Sequence, residues 1–218
     1  MQKDFYTNKL YPLQDRVLEK ISSTDNNFYL TAGTALSRCY LNHRYSEDLD
    51  FFVNDDNRYS AYIKNIQQVL SKFFNLEVIR KEERFTRFLI DNSEVQLKLE
   101  FINDVPFYLG EKNTFTLFKR VDNLSNILSN KITAIADRDE PKDFADILCI
   151  YEKNPINWEL IFTASQSKAA GIFPPLIAKR IQEFDLEKMT ILNWVNTPDF
   201  NSLTKLKEKI IFDILGIL

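Results

Sequence analysis

The chain has 218 residues, 44% of them hydrophobic and 27% charged, which is ordinary for a folded globular protein. This length fits one large domain or two small ones, and a total of only 4 glycines argues against long flexible linkers. The net charge of −3 excludes a global basic field, so the composition does not indicate a nucleic-acid coat protein.

The N-terminal sequence and the cysteines indicate a compartment. Residues 1–6 lack the basic-then-apolar order of a secretory signal, and no apolar run approaches the length that crosses a bilayer. Cys39 and Cys149 lie far apart in predicted helices, where small side chains pack well. We therefore interpret both as buried free thiols, and we expect a cytoplasmic protein that does not bind membranes.

The first predicted elements are an amphipathic helix, a short buried strand, a turn and a second helix, over residues 10–21, 27–31, 32–33 and 34–41. A glycine at the strand–helix junction permits a tight turn and lets a ligand approach the backbone amides. The N-terminus of the following helix favours phosphate. We therefore expect Gly33 and Thr34 to meet phosphate groups.

Two acids lead into the next predicted strand. Asp48-Leu49-Asp50 is followed by the apolar residues 51–53. Because side chains alternate faces along a strand, Asp48 and Asp50 point the same way. Neighbouring carboxylates repel each other, and the simplest reason to keep both is a divalent cation such as Mg²⁺, shared with substrate phosphates. A solvated edge strand, with both acids turned to water, is the alternative.

Residues 59–74 predict a helix, and three strands are predicted after it, over residues 76–79, 85–90 and 94–102. In the last strand, apolar residues alternate with polar ones, so that Gln96, Lys98 and Glu100 share the face opposite the core. Such alternation also occurs on any half-exposed sheet, so by itself it assigns no role to these residues.

Residues 106–121 show no single period, and we expect them to return along the sheet edge. From Asn123 onward the period is helical, with Lys131 and Arg138 together on the polar edge of the first helix. Pro141 suits the first turn of the next helix. Further helices are predicted over residues 157–170, 174–184, 186–195 and 203–218, with a core of Trp158, Phe162, Trp194 and Phe212.

The order of strand, Gly-Thr turn, helix and Asp-x-Asp strand resembles the core of nucleotidyltransferases of the polymerase-β type. More closely, Ala32-Gly-Thr-Ala-Leu36, followed by His43-Arg-x-Ser-x-Asp-Leu-Asp-Phe-Phe52, resembles the AbiEii/AbiGii-like family of bacterial nucleotidyltransferases. Many members of that family are toxins of toxin–antitoxin or phage-abortive systems. The family usually has two glycines in the turn, whereas this chain has Ala32 in place of the first.

The resemblance implies roles for the acids. Asp48 and Asp50 would hold two Mg²⁺ ions, one on the triphosphate and one on the attacking oxygen. Polymerase-β-type sites also need a third carboxylate, from a strand beside the Asp-x-Asp strand. Glu100 is the candidate for this acid, and Asp104 is the fallback.

A second stretch, Lys131-x₆-Arg138 followed by Lys142-Asp143-x-x-Asp146, resembles the same family, with Ile147 in place of the usual Leu. Lys131 would contact the triphosphate and stabilise charge that develops during transfer. The alternatives are that Lys131 only snorkels from its helix and that Asp143 and Asp146 form a structural salt bridge. The residues that the resemblance assigns to nucleotide binding are Gly33, Thr34, Ser46, Lys131, Arg138, Lys142 and Asp143.

Together these observations predict an α+β protein: a mixed β-sheet nucleotidyltransferase core flanked by helices over residues 1–120, and a C-terminal helical bundle over residues 121–218 that closes over the nucleotide. The expected activity is Mg²⁺-dependent transfer of a nucleotidyl group from an NTP to a hydroxyl of an acceptor, either RNA such as tRNA or a protein. A toxin role with a cognate antitoxin is implied by the resemblance alone. The rival interpretation is a nucleotide-binding module without catalytic activity.

Overall fold

The computed structural model describes residues 2–217, and the chain divides into two compact units. The first unit contains the residues up to Cys39, with Tyr45–Pro106 and Glu111–Asp122. The second unit contains the residues from Asn123 onward, with Tyr40–Arg44 and Phe107–Gly110. Two short segments that precede Asn123 in the chain therefore belong to the second unit.

A five-stranded mixed sheet with the strand order β1-β2-β5-β4-β3 forms the centre of the first unit. Its strands are β1 (Tyr29–Thr31), β2 (Leu49–Asn54), β3 (Leu76–Lys81), β4 (Phe85–Asp91) and β5 (Gln96–Asp104). β2 and β5 are parallel, and the other neighbouring pairs are antiparallel. The expected return of the chain along the sheet edge is confirmed, because the Leu30 N–H donates to the Arg120 carbonyl at 2.9 Å.

Helices flank this sheet, which confirms the predicted α+β class. They are α1 (Gln2–Phe5), a π-helical turn (Tyr6–Leu10), α2 (Tyr11–Ser22), α3 (Ala32–Ala35), a second π-helical segment (Leu36–Leu41) and α4 (Tyr59–Leu70). The buried residues Leu13, Val17 and Ile21 of α2 form the apolar stripe that the sequence predicts.

The alternation along β2 and β5 separates the core from the candidate site. Phe51 and Phe101 are opposite each other in the parallel register, fully buried, and stacked with ring centroids 5.0 Å apart. Their neighbours Asp50 and Glu100, on the other face, are half-buried and also opposite each other. Apolar packing on one face therefore fixes which acids face the other.

The second unit is helical. Its elements are α5 (Leu124–Asp137), α6 (Pro141–Lys153), α7 (Trp158–Lys168), α8 (Pro174–Glu183), a 3₁₀-helix (Leu186–Ile191) and α9 (Phe200–Leu215). Pro141 begins α6, as predicted. Residues 186–195 were expected to form an α-helix but form only the 3₁₀-helix, after which the Val195 N–H donates to the His43 carbonyl at 3.0 Å.

The predicted aromatic core of this unit is confirmed only in part. Trp158 and Phe162 are buried and Trp194 is half-buried, whereas Phe212 is 77% exposed. Phe212 lies on the opposite face of α9 from the buried Ile210, because a step of two residues turns the side chain by about 200° around a helix.

The two cysteines differ in burial. Cys149 is buried, as expected, and burial raises the pKa of its thiol to about 12. The expectation that Cys39 is buried is wrong, because this residue of the second π-helical segment is half-buried. Among residues 2–217, we find no helix long and apolar enough to cross a membrane.

Candidate active site

The turn after β1 has its unusual backbone conformation at Ala32. The φ angle of Ala32 is +54°, in the left-handed region that favours glycine, whereas Gly33 lies inside α3. The expectation that Gly33 supplies the special conformation is therefore wrong. The position where the family usually has its first glycine is the strained one, and a non-glycine residue there costs about 1–2 kcal/mol.

Thr34 and Ser46 position the residue at which the acidic motif begins. Thr34 Oγ1 donates to the backbone carbonyl of Asp48 and lies 2.9 Å from Ser46 Oγ. Both residues are buried, and Gln14 Nε2 donates to the Ser46 carbonyl at 3.1 Å. The two hydroxyls, which the sequence predicts at the phosphates, thus contact each other inside the unit, and the Thr34 hydroxyl holds Asp48 through its backbone carbonyl.

The structure brings Asp48, Asp50 and Glu100 together. Asp50 and Glu100 are register partners on the parallel strands β2 and β5, and Asp48 lies two residues before Asp50. β2 lies between β1 and β5, which excludes the solvated edge strand as the explanation of these acids. Asp104, the fallback for the third acid, is opposite Asn54 at the far end of β5. It lies about 13 Å along the strand from Glu100.

A lysine that the sequence did not single out lies among the acids. Lys98 Nζ is 2.9 Å from Asp48 Oδ2 and 3.6 Å from Glu100 Oε1. Burial alone would lower the pKa of this ammonium, but the hydrogen bond to Asp48 and the charges of the three acids raise the pKa above its ordinary value. Lys98 is therefore positively charged at neutral pH, and its charge is shared by three carboxylates.

Glu100 has a second cationic partner on β4. Arg87 is its register partner there, and the Arg87 Nε donates to Glu100 Oε1 at 2.9 Å while Nη2 lies 2.6 Å from the same oxygen. Because the guanidinium is planar, this two-nitrogen contact restricts the orientation of the carboxylate. Arg87 therefore positions Glu100 from the side of the sheet away from β2.

The acids suit Mg²⁺ in chemistry and charge. Carboxylate oxygens are the hard ligands that Mg²⁺ binds, and oxygens of both Asp48 and Glu100 already lie within 3.6 Å of one cationic atom. In the described part of the chain, however, no group of three or more His, Cys, Asp or Glu side chains is arranged around a common point to hold a metal. The position between Asp48 and Glu100 is occupied by the Lys98 ammonium.

In the second unit, Lys131 is buried and doubly paired. Its Nζ is 2.6 Å from Asp143 Oδ1 and 2.7 Å from Asp146 Oδ2, and both of these acids are fully buried on α6. The expectation that Lys131 lies at the polar edge of its helix is therefore wrong. Two carboxylates neutralise the ammonium, which makes its burial tolerable. The structure thus contains the salt bridge considered as an alternative role for Asp143 and Asp146.

Asp146 also binds two residues that precede the acidic motif. Arg44 Nε and Nη2 donate to the two oxygens of Asp146, both at 2.8 Å, and His43 Nε2 lies 2.7 Å from Oδ1. Burial alone would raise the pKa of the Asp146 carboxyl, but Arg44, Lys131 and the bond with His43 hold this pKa well below its ordinary value. The charged carboxylate therefore ties residues 40–44 to α6.

Arg138 and Lys142 lie near this buried cluster in the sequence. Arg138 follows α5, and its Nε and Nη2 contact Asp143 Oδ2 at 2.8 and 2.7 Å while its side chain stays 54% exposed. Lys142 is half-buried in the first turn of α6. Lys131, Arg138 and Asp143, all assigned to nucleotide binding by resemblance, are thus brought together within one unit.

Sequence reasoning missed three cations of these clusters. The alternation along β5 placed Lys98 on the same face as Glu100, so its proximity to the acids could have been predicted. Arg87 carried a weaker signal, since it depends on the register between β4 and β5. Arg44 carried no local signal for its ion pair, because its partner Asp146 is 102 residues away.

The fold and the acids define a class of protein. A mixed sheet that carries an Asp-x-Asp pair and an opposed acid on the parallel neighbour, after a strand–turn–helix unit, is the core of a nucleotidyltransferase. The family described as "Nucleotidyl transferase AbiEii toxin, Type IV TA system" matches residues 16–200, and the chain belongs to that family. The resemblance seen in the motifs is therefore confirmed, and the protein is a nucleotidyltransferase.

Several individual proteins are similar to this chain. MenT4, a nucleotidyltransferase toxin from Mycobacterium tuberculosis, superposes with a TM-score of 0.67 at 17% identity, covering 94% of this chain and 82% of that one. JHP933 from Helicobacter pylori gives a TM-score of 0.59 at 18% identity over 95% and 92% of the two chains. An uncharacterized protein of Aquifex aeolicus is 29% identical over 154 residues, or 70% of this chain and 71% of that protein. At these identities, the two solved structures support the fold alone.

Proposed function

We propose that the protein uses Mg²⁺ to transfer a nucleotidyl group from an NTP to an acceptor hydroxyl, and that it acts as a toxin with a cognate antitoxin. The acceptor would be an RNA, such as tRNA, or a protein. The observation that carries the proposal is that Asp50 and Glu100 are register partners, with Asp48 two residues before Asp50, and that all three acids act on the Lys98 ammonium in a chain of this family. Three neighbouring carboxylates repel each other, and cation binding explains why all three are present.

Residues of the first unit would have separate roles in such a reaction. Asp48 and Asp50 would hold the metal, and Glu100, opposite Asp50, would complete the site on the acceptor's side. Bound Mg²⁺ would neutralise charge on the triphosphate and favour loss of the proton from the attacking hydroxyl. Thr34, through its bond to the Asp48 carbonyl, keeps the first of these acids at its place beside the sheet.

The transfer reaction can be tested with each NTP, labelled at the α-phosphate, and with total cellular RNA or protein as the acceptor. We expect label in one acceptor class and release of pyrophosphate, both dependent on Mg²⁺. Asp50→Asn should abolish both, whereas Asp104→Asn, a matched change at the far end of β5, should preserve them. Transfer that survives in Asp50→Asn would refute the metal mechanism.

A nucleotide-binding module without transfer activity is the second candidate, and the contact between Arg87 and Glu100 favours it. If the guanidinium keeps Glu100 from a metal, an NTP could bind while the acceptor hydroxyl would not be activated. Glu100→Gln separates the two functions. In an enzyme this variant should keep most of the Mg²⁺–NTP binding and lose transfer. In a binding module the wild type itself would bind Mg²⁺–NTP and transfer nothing.

Contacts of Lys131, Arg138 and Lys142 with the triphosphate stay a prediction. Lys142 offers the cleanest test, because replacing Lys131 or Arg138 also breaks an ion pair with the buried Asp143. Lys142→Ala should weaken NTP binding and leave the melting temperature unchanged. An unchanged Kd for NTP in the presence of Mg²⁺ would contradict a contact between Lys142 and the triphosphate.

A further inference from the structure

The ammonium of Lys98 lies between two of the proposed metal ligands. Its Nζ is 2.9 Å from Asp48 Oδ2 and 3.6 Å from Glu100 Oε1. The Lys98 side chain is 36% exposed, so one side of it is open to water. A lysine stem has four flexible carbons, and the ammonium can therefore move away while the backbone of β5 stays paired with its neighbours.

We propose that Lys98 is a placeholder cation, which neutralises the acids in the metal-free protein and is displaced when Mg²⁺ binds. This inference rests on the proposed function, since it requires that Asp48 and Glu100 bind the metal. Without any cation the acids would repel one another and disfavour folding. With the metal bound, the ammonium and Mg²⁺ would be like charges at the same position, so only one of them can stay.

The competition has a consequence for the order of binding. Mg²⁺ alone must displace Lys98 from Asp48, which lowers the affinity of the acids for the free ion. The triphosphate of an NTP adds negative charge and oxygen ligands, and these favour the metal over the ammonium. The placeholder therefore disfavours metal binding before nucleotide binding, and Mg²⁺ enters together with the NTP.

Arg87 shows why position matters beyond charge. Arg87 contacts Glu100 from β4 and is the second cation beside that acid. Lys98 differs from Arg87 because it contacts Asp48 as well as Glu100. Replacing Arg87 removes a positive charge near Glu100 and leaves the Lys98–Asp48 contact in place. The two cations can thus be compared within the same site.

The test is a titration of the whole 218-residue chain with Mg²⁺ alone, without nucleotide, in which isothermal titration calorimetry measures the affinity. Lys98→Met should bind Mg²⁺ about fivefold tighter than wild type, the factor that corresponds to releasing a partly exposed ion pair. Lys98→Arg keeps the charge and should stay near wild type. Lys64→Met, at an exposed position of α4, has the same change in net charge and should also stay near wild type. An affinity of Lys98→Met equal to or below that of Lys64→Met would overturn the proposal.

A second measurement, of the melting temperature, separates this inference from the proposed function. Metal-free Lys98→Met should melt below Lys64→Met, and added Mg²⁺ should raise its melting temperature more. If Lys98→Met does not fold, Lys98→Gln, which keeps a donor for Asp48, takes its place in both measurements. Tighter Mg²⁺ binding by the variant, with no transfer by wild type to any acceptor, would refute the proposed transfer and retain the placeholder. Transfer by wild type with unchanged Mg²⁺ affinity in the variant would refute the placeholder alone.

Discussion

Replacing Asp146 by asparagine removes a negative charge in the buried cluster of the second unit. The side chains of His43, Arg44 and Lys131 all contact this carboxylate. Asparagine keeps the shape of the side chain, but it no longer neutralises Arg44 and Lys131, which are 5% and 7% exposed. Asp143 can still pair with Lys131, whereas Arg44 loses its two hydrogen bonds to a charged carboxylate. Removing one partner of a buried ion pair typically costs about 3–5 kcal/mol, and we expect Asp146→Asn to lie in this range.

The same carboxylate makes stability depend on pH. Burial would raise the pKa of Asp146, but the neighbouring cations hold it well below the ordinary value. A depressed acid pKa contributes stability that is fully present above the unfolded-state pKa of about 3.9 and is lost as the pH falls toward the folded-state pKa. The difference in stability between wild type and Asp146→Asn should therefore be constant near neutral pH and shrink as the pH falls below about 4.

Urea unfolding of the full chain, followed by far-ultraviolet circular dichroism at neutral and at acid pH, measures both effects. Glu183→Gln is the control, because the pair of Glu183 with Lys179 is exposed and 3.8 Å long. Its loss should cost less than about 0.5 kcal/mol. If Asp146→Asn unfolds at the same urea concentration as Glu183→Gln, the buried cluster does not stabilise the unit and the reasoning is refuted.

Three further predictions concern the turn, the exposed aromatic residue and the thiol. Ala32→Gly should relieve the left-handed strain and raise the free energy of unfolding by about 0.5–1 kcal/mol, while Ala35→Gly in the same helix should lower it by about 1 kcal/mol. Equal effects of the two changes in urea unfolding would contradict the strain at Ala32. Phe212→Ala should change stability by less than about 0.5 kcal/mol. Phe162→Ala, at a buried position, should cost about 3–5 kcal/mol, and a comparable loss for Phe212 would contradict its exposure. In a Cys39→Ser background, Cys149 should resist a thiol reagent in the folded protein and react in urea, since it is buried with a pKa of about 12; rapid labelling of Cys149 in the native protein would refute this.

Local patterns in the sequence were sufficient for the elements of the sheet and for the side of it that carries the acids. Apolar residues alternate along β2 and β5, and burial follows that alternation at Phe51 and Phe101. The period of two thus placed Asp50 and Glu100 on the face away from the core before any register was known. Helical periods likewise located α2, α5 and α6, because the spacing of buried side chains is a property of each segment by itself.

Only the tertiary structure decided which charges meet. Strand pairing set Lys98 against Asp48, and the packing of residues 40–44 in the helical unit set Arg44 against Asp146. It also buried Lys131, whose helical position by itself indicated a polar edge. An ion pair in a protein interior depends on the distance between two groups far apart in the chain and on the loss of water around both. Local periodicity gives neither the distance between two such groups nor the loss of water around them. For this reason the sequence predicted the acids of the candidate site but not the cations that neutralise them.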